Sequence, residues 1–213
     1  MSARLALTLL AAALALAGCD DDDKKENPGP RLELPALSGG AHALRLSGDA
    51  AGASGWGFAA ADGRGFVLLA PDSDSPAAAV YVRQGSGKAW RRVPAATAPM
   101  TLSAQLDEPQ AAAAAPAAAG SYEALIGGAP ARFTVAADGT ITAGAGDCAV
   151  TGRVDSGKAY GGALPVQASV AGCAALAGNY QGLAFADPDA ENARFRVVLH
   201  DTAKILDFYA FAR

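Results

Sequence analysis

The sequence predicts an all-β protein, a small antiparallel β module followed by a C-terminal eight-stranded antiparallel up-and-down barrel. Three observations carry that prediction. After position 30 the apolar residues recur in short runs with partial period-two alternation, broken by glycine, aspartate and proline, which is the pattern of half-buried strands. No run keeps a helical stripe. From Gly120 onward eight such runs follow at intervals of about 8 to 16 residues, and consecutive antiparallel strands of that number close naturally into a barrel without exposed edges.

The first 18 residues read as a signal peptide. Arg4 precedes an apolar stretch from Leu5 to Ala17, and Leu16-Ala17-Gly18-Cys19 stands before the acidic run Asp20 to Asp23. Cation, apolar region and small-residue cleavage site come in the order of an export signal. A helix over Leu5 to Ala17 reaches about 20 Å, short of the roughly 30 Å hydrocarbon core, so a permanent span is disfavoured. The tetrad resembles the lipobox of bacterial lipoproteins. The resemblance implies cleavage before Cys19, a thioether-linked diacylglycerol on Cys19 and usually an amide-linked third chain. At about 0.8 kcal/mol per buried CH₂, several chains anchor stably where one would exchange. The partner implied is the membrane.

Residues 19–30 form an acidic, Pro-Gly tether. Asp20 to Glu26 has no apolar residue to fold around, and Pro28-Gly29-Pro30 continues the spacer. Acids after a lipidated cysteine also act as sorting addresses whose meaning differs between bacterial lineages. The reading places the chain in the cell envelope, favours the outer membrane over the inner, and leaves the leaflet open.

Residues 31–110 form the small β module. Its candidate strands are Leu32 to Leu34, Ala43 to Leu46, Gly55 to Ala60, Gly65 to Leu69, Ala78 to Arg83, Ala89 to Val93 and Thr101 to Leu106, with Asp62-Gly63 as a two-residue hairpin signal. The alanine run at 111–119 is read as a linker. Pro116 interrupts it, and too few residues precede that proline for an isolated helix to repay its nucleation cost.

Residues 120–213 form the barrel. The candidate strands are Tyr122 to Ile126, Arg132 to Ala136, Thr140 to Ala143, Cys148 to Val154, Leu164 to Val170, Tyr180 to Phe185, Arg194 to Leu199 and Ile205 to Phe211. Asp138-Gly139 is a second two-residue turn signal. Gly120-Ser-Tyr-Glu-Ala-Leu125 recurs as Gly178-Asn-Tyr-Gln-Gly-Leu183, and Ala131-Arg-Phe-Thr-Val135 as Ala193-Arg-Phe-Arg-Val197. The recurrence predicts two similar halves of about four strands.

Lipid takes one of the three cysteines, which leaves Cys148 and Cys173 as an even pair in an exported chain, expected to be a disulfide. If their strands are antiparallel neighbours, Cys148 falls opposite a residue within about three of Cys173. No local cation or Cys-x-x-Cys motif argues for a redox role.

Without the signal the chain has 195 residues and a net charge of −5, of which the tether holds −3, so the body carries about −2. No basic concentration tracks phosphates, which excludes nucleic acid as the favoured partner. His42 and His200 stand apart in sequence and read as surface or strand residues, not zinc ligands. Gly85-Ser86-Gly87-Lys88 lacks the upstream glycine and the following hydroxyl of a phosphate loop. Asp187, Asp189 and Glu191 read as a solvated loop, without the calcium-hand pattern. Trp56, Tyr81 and Trp90 read as core bulk in an aromatic-poor chain. No nucleophile, base and orienter can be named together. The reading therefore names no catalytic residue, cofactor or metal.

By strand number, size and anchor, residues 120–213 resemble the small eight-stranded C-terminal barrels of surface lipoproteins of the factor H-binding and transferrin-binding type. That resemblance implies protein binding at the cell surface and assigns no binding residues. The first expectation is a non-catalytic, lipid-anchored envelope lipoprotein with an accessory or structural role. Surface protein binding is the alternative, and a lipocalin-like carrier of a small apolar ligand is the third.

Overall fold

The computed structural model describes residues 30–34, 37, 40–72, 75–98, 100–106, 118–146, 148–190 and 192–213, without the side chains of Gly40 and Ala174. The expected signal peptide, Cys19, the tether before Pro30 and most of the 111–119 linker lie outside these residues.

All fifteen expected strands are present. The first seven are β1 (Arg31–Glu33), β2 (Gly40–Ser47), β3 (Ser54–Ala59), β4 (Arg64–Ala70), β5 (Ala79–Gln84), β6 (Arg91–Val93) and β7 (Thr101–Leu106). They form one sheet in the order β1-β7-β2-β3-β4-β5-β6. Its pairs are antiparallel except at one edge, where Arg31 to Glu33 runs parallel to Thr101 to Ser103. The sheet is curled. Leu44, Val67, Leu69, Tyr81, Trp90 and Leu102, drawn from across it and from the β5–β6 connection, bury together as one cluster. Asp49, in the β2–β3 turn, pins the curl by accepting from Arg92 Nε at 2.7 Å, Arg92 Nη2 at 3.1 Å and the Tyr81 hydroxyl at 2.6 Å. Burial pushes the Asp49 carboxyl up, but those donors and the Ala51 N–H outweigh it, and the group titrates below its ordinary range.

The barrel comprises β8 (Gly120–Ile126), β9 (Ala129–Val135), β10 (Thr140–Ala143), β11 (Ala149–Val154), β12 (Ala163–Ala171), β13 (Gly178–Phe185), β14 (Phe195–His200) and β15 (Ile205–Ala212). Each pairs antiparallel with its successor. β15 returns to β8 with Ala210 opposite Ala124, which closes the sheet. One parity of each strand, such as Tyr122-Ala124-Ile126 and Leu164-Val166-Ala168-Val170, fills the interior. That interior keeps a void of about 40 Å³ lined only by apolar groups. A benzene-sized guest needs a cavity on the order of 150 Å³.

The turn chemistry differs in detail from expectation. Gly63 N–H donates to the Ala60 carbonyl and Gly139 N–H to that of Ala136, each at about 3 Å. These are three-residue loops, Ala61-Asp62-Gly63 and Ala137-Asp138-Gly139, with the glycines at φ +81° and +86°. A single left-handed glycine after the turn gives the bulged form, and it replaces the two-residue form the Asp-Gly pairs signal. The repeat also has a local cause. The Tyr122 and Tyr180 hydroxyls each donate at 2.9 Å to the carbonyl four residues upstream, Ala118 and Leu176, the geometry of a tyrosine corner. The repeated strands are the first and second of the barrel and the sixth and seventh. The repeat therefore marks two corner-and-hairpin entries, not two four-strand halves.

Cys148 and Cys173 form a disulfide with Cα atoms 4.8 Å apart. Ala149 pairs with Ala171, so continuing the register sets Cys148 opposite Gly172, one residue from its partner. β10 ends at Ala143, and beyond it Cys148 meets Ala131 of β9 directly, its N–H donating to the Pro130 carbonyl at 3.2 Å. The bond closes a 25-residue separation at the weak end of the shortest barrel strand, worth about 3 kcal/mol by loop entropy.

The two modules share a core. Trp56, Phe58, Phe66, Leu68, Val80 and Val82 on one face of the curled sheet pack against Tyr160, Ala163, Leu183, Phe185 and Val198 of the barrel. Phe58 and Phe185 have ring centroids 4.8 Å apart. β14 is consequently buried along its whole length, on both faces.

Candidate functional site

The outward residues of the barrel wall form rows across its strands, and the register defines them. Arg153 pairs with Gln167, Gln167 with Gln181 and Gln181 with His200. Each has inward neighbours, such as Val166 and Ala168 beside Gln167 and Leu199 beside His200, so pleating turns the four side chains to the outer face. At about 4.8 Å between strands the row is roughly 14 Å long. In the next row, Pro165-Leu183-Val198, Leu183 and Val198 are covered by the curled sheet. The polar row thus runs beside the docking seam.

Two adjoining open hollows, of about 370 and 570 Å³, share Gln167, Gln181 and His200. The first is bounded by Arg64, Phe66, Val82 and Gln84 of the curled sheet and by Asp155, Lys158 and Tyr160 of the β11–β12 connection. The second runs on to Arg91, Asn179, Asp201 and Thr202. Together they make one groove along the junction. Arg64 bridges its rim: Nε donates to Asp62 at 2.7 Å, Nη2 to the Lys158 carbonyl at 3.3 Å, and the guanidinium lies 4.7 Å from the Tyr160 ring centre.

His200 is 1% exposed, because Phe66 of the curled sheet sits 6.2 Å from it, ring to ring. Its Nδ1 is 2.9 Å from the Asp201 carbonyl. A carbonyl only accepts, so the proton is on Nδ1 and Nε2 keeps the lone pair. Burial drives the imidazole below its ordinary pKa and the Arg91 charge adds to that, against smaller opposition from the Asp201 carbonyl and carboxylate. His200 is neutral at pH 7.

A second polar cluster closes the same junction. Arg196, on the outward face of β14, donates to Asp207 at 2.8 and 3.1 Å, to Asp187 at 3.2 Å and to the Ser75 carbonyl at 3.0 Å. Asp207 also accepts the Ala77 N–H at 2.7 Å, and the Tyr209 hydroxyl donates to Asp187 at 3.1 Å. The charged side chains are 2 to 5% exposed. Burial pushes the Tyr209 hydroxyl up to about 12. This is a clamp, since Ser75 and Ala77 belong to the first module and Arg196 and Asp207 to the second.

Asp187 is therefore not solvated, as the sequence had implied. The Arg196 charge on the neighbouring strand has to be matched inside the junction, and Asp187 supplies one of its two carboxylates. Glu191 lies outside the described residues. Trp56, Tyr81 and Trp90 are core, as expected. His42 is buried in β2 and does not line the groove. Both histidines are strand residues, one of the two expected placements, and both are buried. Among the described residues no group of three His, Cys, Asp or Glu is placed to hold a metal ion. Comparison with protein-family models, with curated proteins and with solved structures found no match.

Sequence reasoning missed the groove because Arg153, Gln167, Gln181 and His200 are adjacent only through register. The junction itself left a signal. Phe66 to Ala70, Ala79 to Val82 and Val197 to Leu199 are apolar at both parities, the mark of strands covered on both faces.

Proposed function

We propose that this chain is a lipid-anchored, non-catalytic lipoprotein of the cell envelope whose body is a rigid binding platform. The observation that carries the reading is the Cys148–Cys173 disulfide: it consumes two of three cysteines and leaves Cys19 as the odd one, within the lipobox-like Leu16-Ala17-Gly18-Cys19. A structural disulfide also accords with an oxidising compartment. The barrel wall supports attachment by lipid over spanning by strands. Its interior is apolar, while away from the junction its outward positions carry Ser121, Glu123, Arg132 and Thr134, the reverse of a transmembrane barrel.

Cell-surface protein binding stays the alternative, favoured by the shared core that holds curled sheet and barrel as one shaped surface. The carrier reading loses ground to the filled interior. The test is palmitate labelling in a bacterial host. Wild type is expected to label and to sediment with membranes, and Cys19→Ser to do neither; a labelled Cys19→Ser protein would overturn the anchor.

A further inference from the structure

We propose that the junction groove binds an acidic saccharide laid across the barrel strands, in contact with Gln167, Gln181, Arg153 and Arg91. The proposal rests on the non-catalytic binding reading but not on the lipid anchor. Its first support is the row itself. A ligand crossing β11 to β13 meets an exposed polar side chain, Arg153, Gln167 and Gln181, at each strand, about every 4.8 Å. Each carboxamide offers donor and acceptor from one head, and a sugar hydroxyl is likewise both donor and acceptor. His200, 1% exposed, ends the row as a buried wall and not as a ligand contact.

Charge supplies the second support. The lining holds Arg64, Arg91, Arg153 and Lys158 against Asp155 and Asp201. Asp155 is paired with Lys158 and accepts the Gly157 N–H, and Asp201 accepts the N–H groups of Ala203 and Lys204 while keeping its charge. Arg64 is held by Asp62. Arg91 and Arg153 are exposed along the groove, Arg153 within the field of Asp138, so two guanidinium groups stand open to a ligand there. Guanidinium groups so placed suit carboxylate or sulfate substituents on the ligand.

An extended acidic peptide is the competing occupant, and the geometry disfavours it. β11 to β14 are all paired within a closed barrel, so the row offers no strand edge for peptide augmentation and runs across the strands instead of along one; the open edge of the curled sheet, β6, reaches the groove only at Arg91, the first residue of a three-residue strand.

The test uses the full lipidated chain in detergent, titrated calorimetrically with oligogalacturonate, with neutral malto-oligosaccharide of equal length and with oligoglutamate. Oligogalacturonate is expected to bind at least tenfold more tightly than either control. Gln167→Ala/Gln181→Ala, both exposed positions, is expected to weaken it at least tenfold with an unchanged thermal midpoint, and Arg153→Ala to reduce its salt dependence. Equal or tighter binding of oligoglutamate, undiminished binding by the double variant, or no binding of oligogalacturonate at millimolar concentration would each overturn the site. Shortening of the oligogalacturonate during the titration would instead overturn the non-catalytic reading while the site stood. Loss of palmitate labelling bears on neither outcome.

Discussion

At the scale of single residues, the junction concentrates the costs and gains that elsewhere in the molecule are small. Arg196 faces two buried carboxylates and a backbone carbonyl. A buried pair adds little net stability over a well-packed apolar replacement, but removing one partner strands the other charge. Arg196→Ala leaves Asp187 and Asp207 buried without their cation, and urea titration should show a loss of about 3 to 5 kcal/mol. A loss under 1 kcal/mol would mean that the clamp is wetter than its 2 to 5% exposures imply. His200 sets a pH dependence of known sign. Burial lowers its pKa in the folded state, so from about 6.5 downward the unfolded chain binds the additional proton. Stability is flat well above pH 6.5 and falls as pH drops from there through the folded value. The Asp201 carboxyl, held low by the Ala203 and Lys204 N–H groups, keeps its charge across that window, and the Asp49 contribution is lost only below its ordinary carboxylate range. His200→Gln should flatten the slope between pH 6.5 and 5, measured by urea midpoint. An unchanged slope would remove His200 as its source.

At the scale of elements, period-two alternation carried most of the information, and it carried it best where one face meets water. β8 reads Gly-Ser-Tyr-Glu-Ala-Leu-Ile with burial alternating along most of it, and the strand is legible almost residue by residue. β14 reads Phe-Arg-Val-Val-Leu-His and is buried throughout; its location was legible, but not what covers its second face. Ends of strands follow backbone bonds that side-chain pattern does not report. β12 extends to Ala163 and Ala171 because both pair with neighbours, Phe185 and Ala149. The parallel β1–β7 edge was invisible for the same reason, since strand direction leaves no mark in a three-residue run. The disulfide was legible because composition left only one pair. The polar row was not, because Gln167 and Gln181 look like any outward strand residues until the register lines them up.

At the scale of the whole molecule, the decisive fact is that the barrel wall and the curled sheet bury each other. A closed barrel has no edges and keeps its own interior cluster, whereas the curled sheet is open at β1 and β6 and gives one whole face to the junction. The sheet therefore depends on docking more than the barrel does. Phe185 tests that asymmetry, since it is 1% exposed, projects from the wall against Phe58 and Trp56, and takes no part in the barrel interior. Truncating a buried phenylalanine costs about 3 to 5 kcal/mol, and here that loss falls on docking. Wild type should melt in one transition, because neither unit unfolds without exposing the other's apolar face. Phe185→Ala should split it. The chain's two tryptophans, Trp56 and Trp90, both belong to the curled sheet, so their emission should shift in an earlier step while the later loss of far-ultraviolet strand signal reports the barrel. Two transitions already present in wild type would show that the shared core does not couple the modules; a single, merely lowered transition in Phe185→Ala would show coupling through the Arg196 clamp and the Arg64 bridge strong enough to survive the loss of the ring.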